Sequence, residues 1–361
     1  MKKFQKIFSL VVAMVAASSM VTAFGCGGNG DKKGDKTDIT VYAPDGAPAL
    51  AIAKMLAEDT ADDGVRYKVV QAASIAGFVD FKDEQENADI CILPLNLASK
   101  KLGDGARYQL LGAVTHGNIY MLSTDETGYS QANLSALIGK TVGVVQLNNV
   151  PGLTFQAVLK AANVPYQIVG NDGAVSAEKV NLKAVTPEAV KPTPATDGAS
   201  GIDVFVAPEP AASVKVDKTA LNFVGDVQEL YGGLIASTLD GAVAGVNKGY
   251  PQAAIVAKKR LIESNSAFIE EFTAELTASA EWLATAEIAT ICNAVSAHLP
   301  AGVTPSLTTA NLSRGAIERS GVRFEAAFGY KTEINEFLAR LIDVDGTAAS
   351  AVSDLFFYQA D

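Results

Sequence analysis

The stretch Asn-Ala-Asp-Ile-Cys-Ile-Leu-Pro-Leu-Asn-Leu-Ala-Ser-Lys-Lys, residues 87–101, constrains the fold more than any other part of the chain. Residues 90–93 are four apolar side chains, short and β-branched enough for a strand buried on both faces, and Pro94 ends it because proline has no N–H to give to a ladder. Asn96 stands where its side chain would cap a turn starting at Leu97, so a strand's carboxyl end and a helix's amino end are expected to meet here. In an open α/β sheet that junction borders the crevice where ligands lie, because free N–H groups and positive helix ends point into it. The stretch is read as one wall of a binding cleft.

The same unit recurs. Residues 39–43 read as a strand, Pro44-Asp45-Gly46-Ala47-Pro48 as a turn in which Gly46 permits close approach of backbone to ligand, and 49 to about 59 as a helix. A strand at 67–71 and a polar helix at 77–86 lead into residues 87–101, so the order β-α-β-α-β predicts a doubly wound sheet. Residues 108–123 form a long extended run broken by Thr115-His116-Gly117-Asn118, the interruption expected where a chain leaves one sheet for another. A second lobe then repeats the logic: a strand at 140–145, the turn Gln146-Leu147-Asn148-Asn149-Val150-Pro151-Gly152, a helix at 153–162, and short strands at 166–169 and 180–185. An irregular segment at 187–201 follows, then a strand at 202–207 stopped by Pro208-Glu209-Pro210 ahead of an alanine-rich helix start. Residues 250–258 read as an extended return, after which helices are expected at about 266–284, 286–298, 311–318 and 331–342.

The first 25 residues have a different character. Lys2, Lys3 and Lys6 precede an apolar segment, residues 7–24, as in a secretory signal. It ends in Ala23-Phe24-Gly25-Cys26, which resembles the lipobox of bacterial lipoproteins and marks Cys26 for lipidation; residues 26–37, rich in glycine and charge, read as a flexible tether. Without the three lysines of that signal, 26 of the 29 basic residues remain against 40 acidic ones, about −14 net, which argues against nucleic acid as a partner. Cys91 and Cys292 lie in apolar surroundings; the sequence leaves a bridge between them open, and burial favours two free thiols. Only two histidines occur, His116 and His298, with no pair at metal-ligand spacing and no Gly-x-Ser-x-Gly elbow, so neither a cofactor, a metal nor a catalytic constellation is expected.

Residues 43–49, 89–98, 115–118, 149–153, Ala207-Pro-Glu-Pro-Ala211 and Gly249-Tyr-Pro-Gln-Ala253 together resemble the solute-binding proteins of ABC importers, in particular the SsuA/THI5-like branch for nitrate, sulfonates, taurine and pyrimidine precursors. The resemblance runs from residue 37 to the C-terminus, apart from 171–201. It implies a two-lobed Venus-flytrap fold of the periplasmic-binding-protein type II class, with residues 38–119 beginning lobe one, 120–248 forming lobe two, and 249–361 returning to pack mainly on lobe one. It also implies ligand contacts from Asp45, Gly46, Ala47, Leu95, Asn96, His116, Asn118, Asn148, Asn149 and Glu209. The protein so implied is a monomer on a lipid anchor outside the cell membrane, passing a small organic solute, sulfonate-like or an amino-heterocycle, to an ABC permease and its ATPase. A ligand sensor or scaffold of the same fold, without transport, is the alternative.

Overall fold

The computed structural model describes residues 38–60, 64–81, 83, 85–170, 173–192, 201–239 and 249–360. The signal, Cys26 and the tether lie outside the described residues, as does much of the segment at 187–201. The strands are β1 (Ile39–Pro44), β2 (Val65–Val70), β3 (Ile90–Pro94), β4 (Tyr108–Thr115), β5 (Ile119–Ser123), β6 (Thr141–Val145), β7 (Tyr166–Ile168), β8 (Val180–Val185), β9 (Val204–Pro208), β10 (Asn222–Asp226), β11 (Ala253–Lys258) and β12 (Val322–Ala326). Helices α1 (Ala47–Leu50), α2 (Ala53–Glu58), α3 (Leu95–Leu102), α4 (Val150–Ala161), α5 (Ala211–Lys218) and α6 (Val227–Leu234) precede the return of the chain. Helices α7 (Lys259–Ser264), α8 (Ser266–Leu283), α9 (Ile288–Ala297), α10 (Arg314–Arg319) and α11 (Lys331–Val344) follow it.

Two six-stranded sheets result, ordered β12-β4-β11-β3-β1-β2 and β10-β5-β9-β6-β8-β7, each flanked by helices: a two-lobed α/β architecture. The chain leaves the first sheet at Thr115 and enters the second at Ile119, as the polar break in residues 108–123 predicts. It returns as β11, antiparallel between β3 and β4. All six residues of β11 are buried, which fits a central strand covered on both faces.

Period-two alternation sorts β3 onto two cores: Cys91 and Leu93 join one apolar cluster, Ile90 and Ile92 the other. Cys292 belongs to the second cluster, on the opposite face from Cys91, so both are free buried thiols. The second cluster packs α8, α9 and α10 on the first sheet. The first runs on through Tyr250 and Phe337, whose rings stack at 5.1 Å, into Val142, Leu182 and Leu230 of the other lobe. At its outer edge the first sheet is tied by Asp89, which accepts from Thr40 N and Oγ1 (both 3.0 Å) and from Lys258 Nζ (2.9 Å). Burial raises the Asp89 carboxyl, and the Thr40 and Lys258 bonds outweigh it, holding the group below the usual carboxylate range.

Several local expectations shift. The helix expected at 49–59 is broken into α1 and α2, and the polar helix at 77–86 is instead a 3₁₀ segment at Ala72–Val79. Helix α3 begins at Leu95 with Pro94 as its N-cap, so Asn96 lies inside the first turn and caps nothing; its Nδ2 donates to the Ala348 carbonyl at 3.0 Å. Four elements, β10, β12, α6 and α7, are additional to the sequence reading. β12 alternates Val322, Phe324 and Ala326 against Arg323 and Glu325, and α6 carries capping-box spacing, with Asp226 Oδ1 accepting from Glu229 N at 2.9 Å, so both had legible signals. β10, interrupted by a register shift at Gly225, had none.

Candidate functional site

The pairing registers bring the ends of β1, β3 and β4 and the start of β11 to one edge of the first sheet. Asp45, Gly46 and Ala47 follow β1 there, Leu95 and Asn96 follow β3, and Gln252 precedes β11 beside Thr115. The ends of β6 and β9 and the start of β5 likewise share an edge of the second sheet, which carries Asn148, Asn149 and Glu209. The crossing segments join these edges, so the ten residues singled out from the sequence all fall at strand ends or crossings, where an open α/β sheet binds ligands.

They are not equivalent. Leu95 and Ala47 are buried and apolar, and the Leu95 N–H is already bonded to the Gln252 carbonyl at 2.9 Å. Asn148 and Asn149 are exposed; Asn149 is the N-cap residue of α4 in extended geometry, with no side-chain cap bond. Asp45 accepts from Ser306 N through Oδ2 at 2.7 Å, while its Oδ1 is sealed from solvent without a partner. Gly46 adopts φ +111°, open to glycine and strained for other residues, and a Cβ there would meet nothing closer than Ser306 Oγ at 3.8 Å.

The crossings hold the densest polar cluster. Thr115, His116 and Asn118 are each under 5% exposed. The His116 N–H donates to the Gly321 carbonyl at 2.9 Å, and Asn118 is locked to Glu209 by Nδ2 to the Glu209 carbonyl (3.2 Å) and Glu209 N to the Asn118 carbonyl (2.8 Å). Yet Thr115 Oγ1, both ring nitrogens of His116, Asn118 Oδ1, Tyr250 Oη and Gln252 Oε1 are buried with no hydrogen-bond partner. Such atoms each cost about 1–3 kcal/mol, and their concentration at the crossings makes this the candidate site. Burial lowers the His116 pKa well below its ordinary value and the nearby Arg323 charge adds to this, so the ring is neutral, with one donor and one acceptor nitrogen.

Glu209 departs from expectation. A carboxylate free to meet a solute is expected from its position, but both oxygens are engaged within the chain. Oε2 accepts from Ser213 N at 3.0 Å, in the first turn of α5, and Oε1 accepts from Ser213 Oγ at 2.7 Å and from Arg319 Nε at 2.5 Å. Arg319 Nη2 also donates to Ser213 Oγ at 2.6 Å, and its guanidinium lies 4.5 Å from the centre of the Phe223 ring. Arg319 belongs to α10, whose Ala316 and Ile317 pack with the first sheet, whereas Glu209 follows β9 of the second. The pair therefore joins the lobes beside the crossings. Sequence reasoning missed Arg319, which no local signal marks, and assigned no role to Thr115, Tyr250 or Gln252, although the motifs quoted from the sequence contain all three.

Among the described residues, no group of three or more His, Cys, Asp or Glu side chains could hold a metal ion, and no helix is long and apolar enough to cross a membrane. A surface depression of about 320 Å³, lined by Arg107, Lys258, Lys259 and Arg260 among others, lies at the opposite edge of the first sheet from these residues.

No protein-family model matches the chain, and no curated protein matches it in sequence. Solved structures do. An ABC transporter protein from Parabacteroides distasonis superposes with TM-score 0.64 at 18% identity, covering 90% of this chain and 100% of that one. The periplasmic aliphatic sulphonate binding protein SsuA of Escherichia coli gives 0.54 at 13% identity, over 87% and 94%. The ligand-binding component of an ABC-type import system from Staphylococcus aureus, solved with zinc bound, gives 0.52 at 11%, over 89% and 96%. The near-complete coverage of these structures gives this chain the two-lobed fold of ABC-importer solute-binding proteins, SsuA-type sulfonate-binding proteins among them.

Proposed function

We propose that the protein is the extracytoplasmic solute-binding component of an ABC importer, held on the membrane by a lipid on Cys26, which captures a small organic solute between its lobes and hands it to a permease and its ATPase. The observation that carries the reading is the set of buried, unpartnered polar atoms on the crossings and at Asp45, on a fold whose relatives bind solutes. Gly117 and Gly249, at φ +84° and +88°, stand where the chain passes between sheets and serve as pivots about which the lobes part to admit solute. No covalent step is needed, and the buried groups bind rather than react. Asp45, Gly46, Ala47, Leu95 and Asn96 form one wall, His116 and Asn118 the floor, and Asn148 and Asn149 the facing rim, with Glu209 acting through its hold on Asn118 and Arg319.

A thermal-shift panel of sulfonates, nitrate, bicarbonate, amines and nitrogen heterocycles tests the capture reading. A cognate solute at 100 times its Kd stabilises by about 2.7 kcal/mol; a panel that shifts nothing counts against capture. Cys26→Ser, in cells, is expected to release the protein or leave the signal uncleaved. A processed, lipid-labelled variant that stays on the membrane sinks the anchor.

A further inference from the structure

We propose that the basic depression at the far edge of the first sheet is a seat for the phosphate-bearing headgroups of anionic lipid, which sets the protein on the membrane with its crevice facing away from the bilayer. The proposal rests on the lipid anchor at Cys26 and adds the surface that the anchor holds against the membrane.

Arg107 precedes β4, Lys258 ends β11, and Lys259 and Arg260 follow it into α7; all four line the depression, and Glu263 is the one carboxylate among its lining residues. Lys258 is buried and makes the floor, its Nζ donating to the Asn87 carbonyl at 2.7 Å and to Asp89 at 2.9 Å. The other three cations are loosely held. Arg107 is exposed and makes no ion pair among the described residues, the Arg260 side chain is 59% exposed and meets Asp89 at 3.5 Å, and Lys259 meets Glu263 at 3.9 Å. Four cations thus stand against Glu263 and Asp89, on a chain that carries 26 basic residues against 40 acidic ones once its signal is gone. The turns before β3 and β4 carry Asp83, Glu86 and Asp104, so the attraction is confined to the depression, and a headgroup that enters it is favoured over a flat, diffuse contact. The place of the depression in the chain supplies the partner. The described fold begins at Asp38, and Thr40 donates through N and Oγ1 to the same Asp89 carboxylate that accepts from Lys258 and Arg260. One carboxylate therefore separates the start of β1 from the depression. Twelve residues, 26–37, join that start to Cys26, at most about 40 Å of chain, so a lipid on Cys26 keeps this edge near the bilayer and makes a weak headgroup contact effectively intramolecular. Strands β1, β4 and β11 span from this edge to the one that carries Asp45, Thr115 and Gln252, so the seated protein presents its crevice to solvent for loading.

The chain from Gly27, without signal or lipid, reports the protein surface alone; the apolar cores begin at Val41, so it keeps the whole described fold. Its sedimentation with vesicles of equal parts phosphatidylglycerol and phosphatidylcholine is compared with that on pure phosphatidylcholine. Binding to the anionic vesicles about tenfold or more above the neutral ones is expected, and its loss in about 1 M salt, where charges are screened beyond about 3 Å. Arg107→Gln, Lys259→Gln and Arg260→Gln together are expected to weaken it about a hundredfold, about fivefold per charge, at unchanged Tm. Lys179→Gln, Lys191→Gln and Lys218→Gln, at exposed lysines of the second lobe, make the same change in net charge and are expected to leave binding within about twofold. Equal losses from the two triple variants, or equal sedimentation with both kinds of vesicle, overturn the seat. Inorganic phosphate that stabilises the protein and displaces it from the vesicles at matched headgroup concentration assigns the depression to a free anion and overturns lipid as its occupant. Each of these failures leaves solute capture standing, and with it the Cys26 anchor, which Cys26→Ser tests separately in cells.

Discussion

Replacing Arg319 by methionine destabilises the protein by about 3 kcal/mol in urea denaturation, because it strands a carboxylate with no route to water. The Glu209 side chain is fully buried, and its bonds to Ser213 alone do not neutralise it. The expected loss sits at the lower end of the range for breaking a buried pair because the Arg319 side chain is 33% exposed, which lets solvent screen the pair in part. The double variant Glu209→Gln with Arg319→Met recovers part of the loss, since the amide that remains carries no charge and keeps hydrogen bonds to Ser213. A loss below 1 kcal/mol for Arg319→Met would place the pair among ordinary surface contacts. The consequence for function follows from placement. The pair ties α10, on the first lobe, to the end of β9 on the second, so it holds the two lobes together beside the crossings. Weakening the tie is expected to enlarge the radius of gyration of the unliganded protein in solution scattering.

Gly249→Ala is the second large effect, a loss of about 3 kcal/mol or more. A Cβ built at Gly249 lies 2.0 Å from the His116 carbonyl oxygen, a backbone atom that moves only if the crossing moves, and the glycine's φ of +88° adds backbone strain for any L side chain. Gly64→Ala separates the two contributions: Gly64 has φ +80° with nothing within 4 Å of the added carbon, so its alanine variant carries the conformational cost alone, about 1–2 kcal/mol. Equal losses at the two sites would show that the crossing yields freely to the added methyl group, and the close approach of residues 116 and 249 would then not brace the crossing.

Much of this architecture could be read one residue at a time. Residues 90–93 announce a strand buried on both faces because no polar side chain interrupts them, and Pro94 ends it because it lacks an N–H; both facts are local, and β3 follows them. Thr115-His116-Gly117-Asn118 marks the passage between sheets for the same reason, since a polar, glycine-containing break cannot continue a buried ladder. The repeated order of strand, polar turn, proline or glycine, and helix predicts a doubly wound fold in each lobe, and the terminal helices keep their apolar spacing in α8, α9 and α11.

What the tertiary structure alone decided concerns polar groups whose partners lie far along the chain. Asn96 has the chemistry of an N-cap, but α3 starts at Leu95 and the amide bonds instead to Ala348, 252 residues away. Glu209 has the position of a ligand contact, and only the fold brings Arg319, 110 residues on, to neutralise it. Thr115 and Gln252 look like ordinary polar residues in the sequence, and what sets them beside His116 and Asn118 is being buried together without partners. Apolar periodicity is written into neighbouring residues, so a sequence displays it directly. The state of a charge or a hydrogen bond depends on what stands within about 3 Å in space, and that is settled only when distant segments pack.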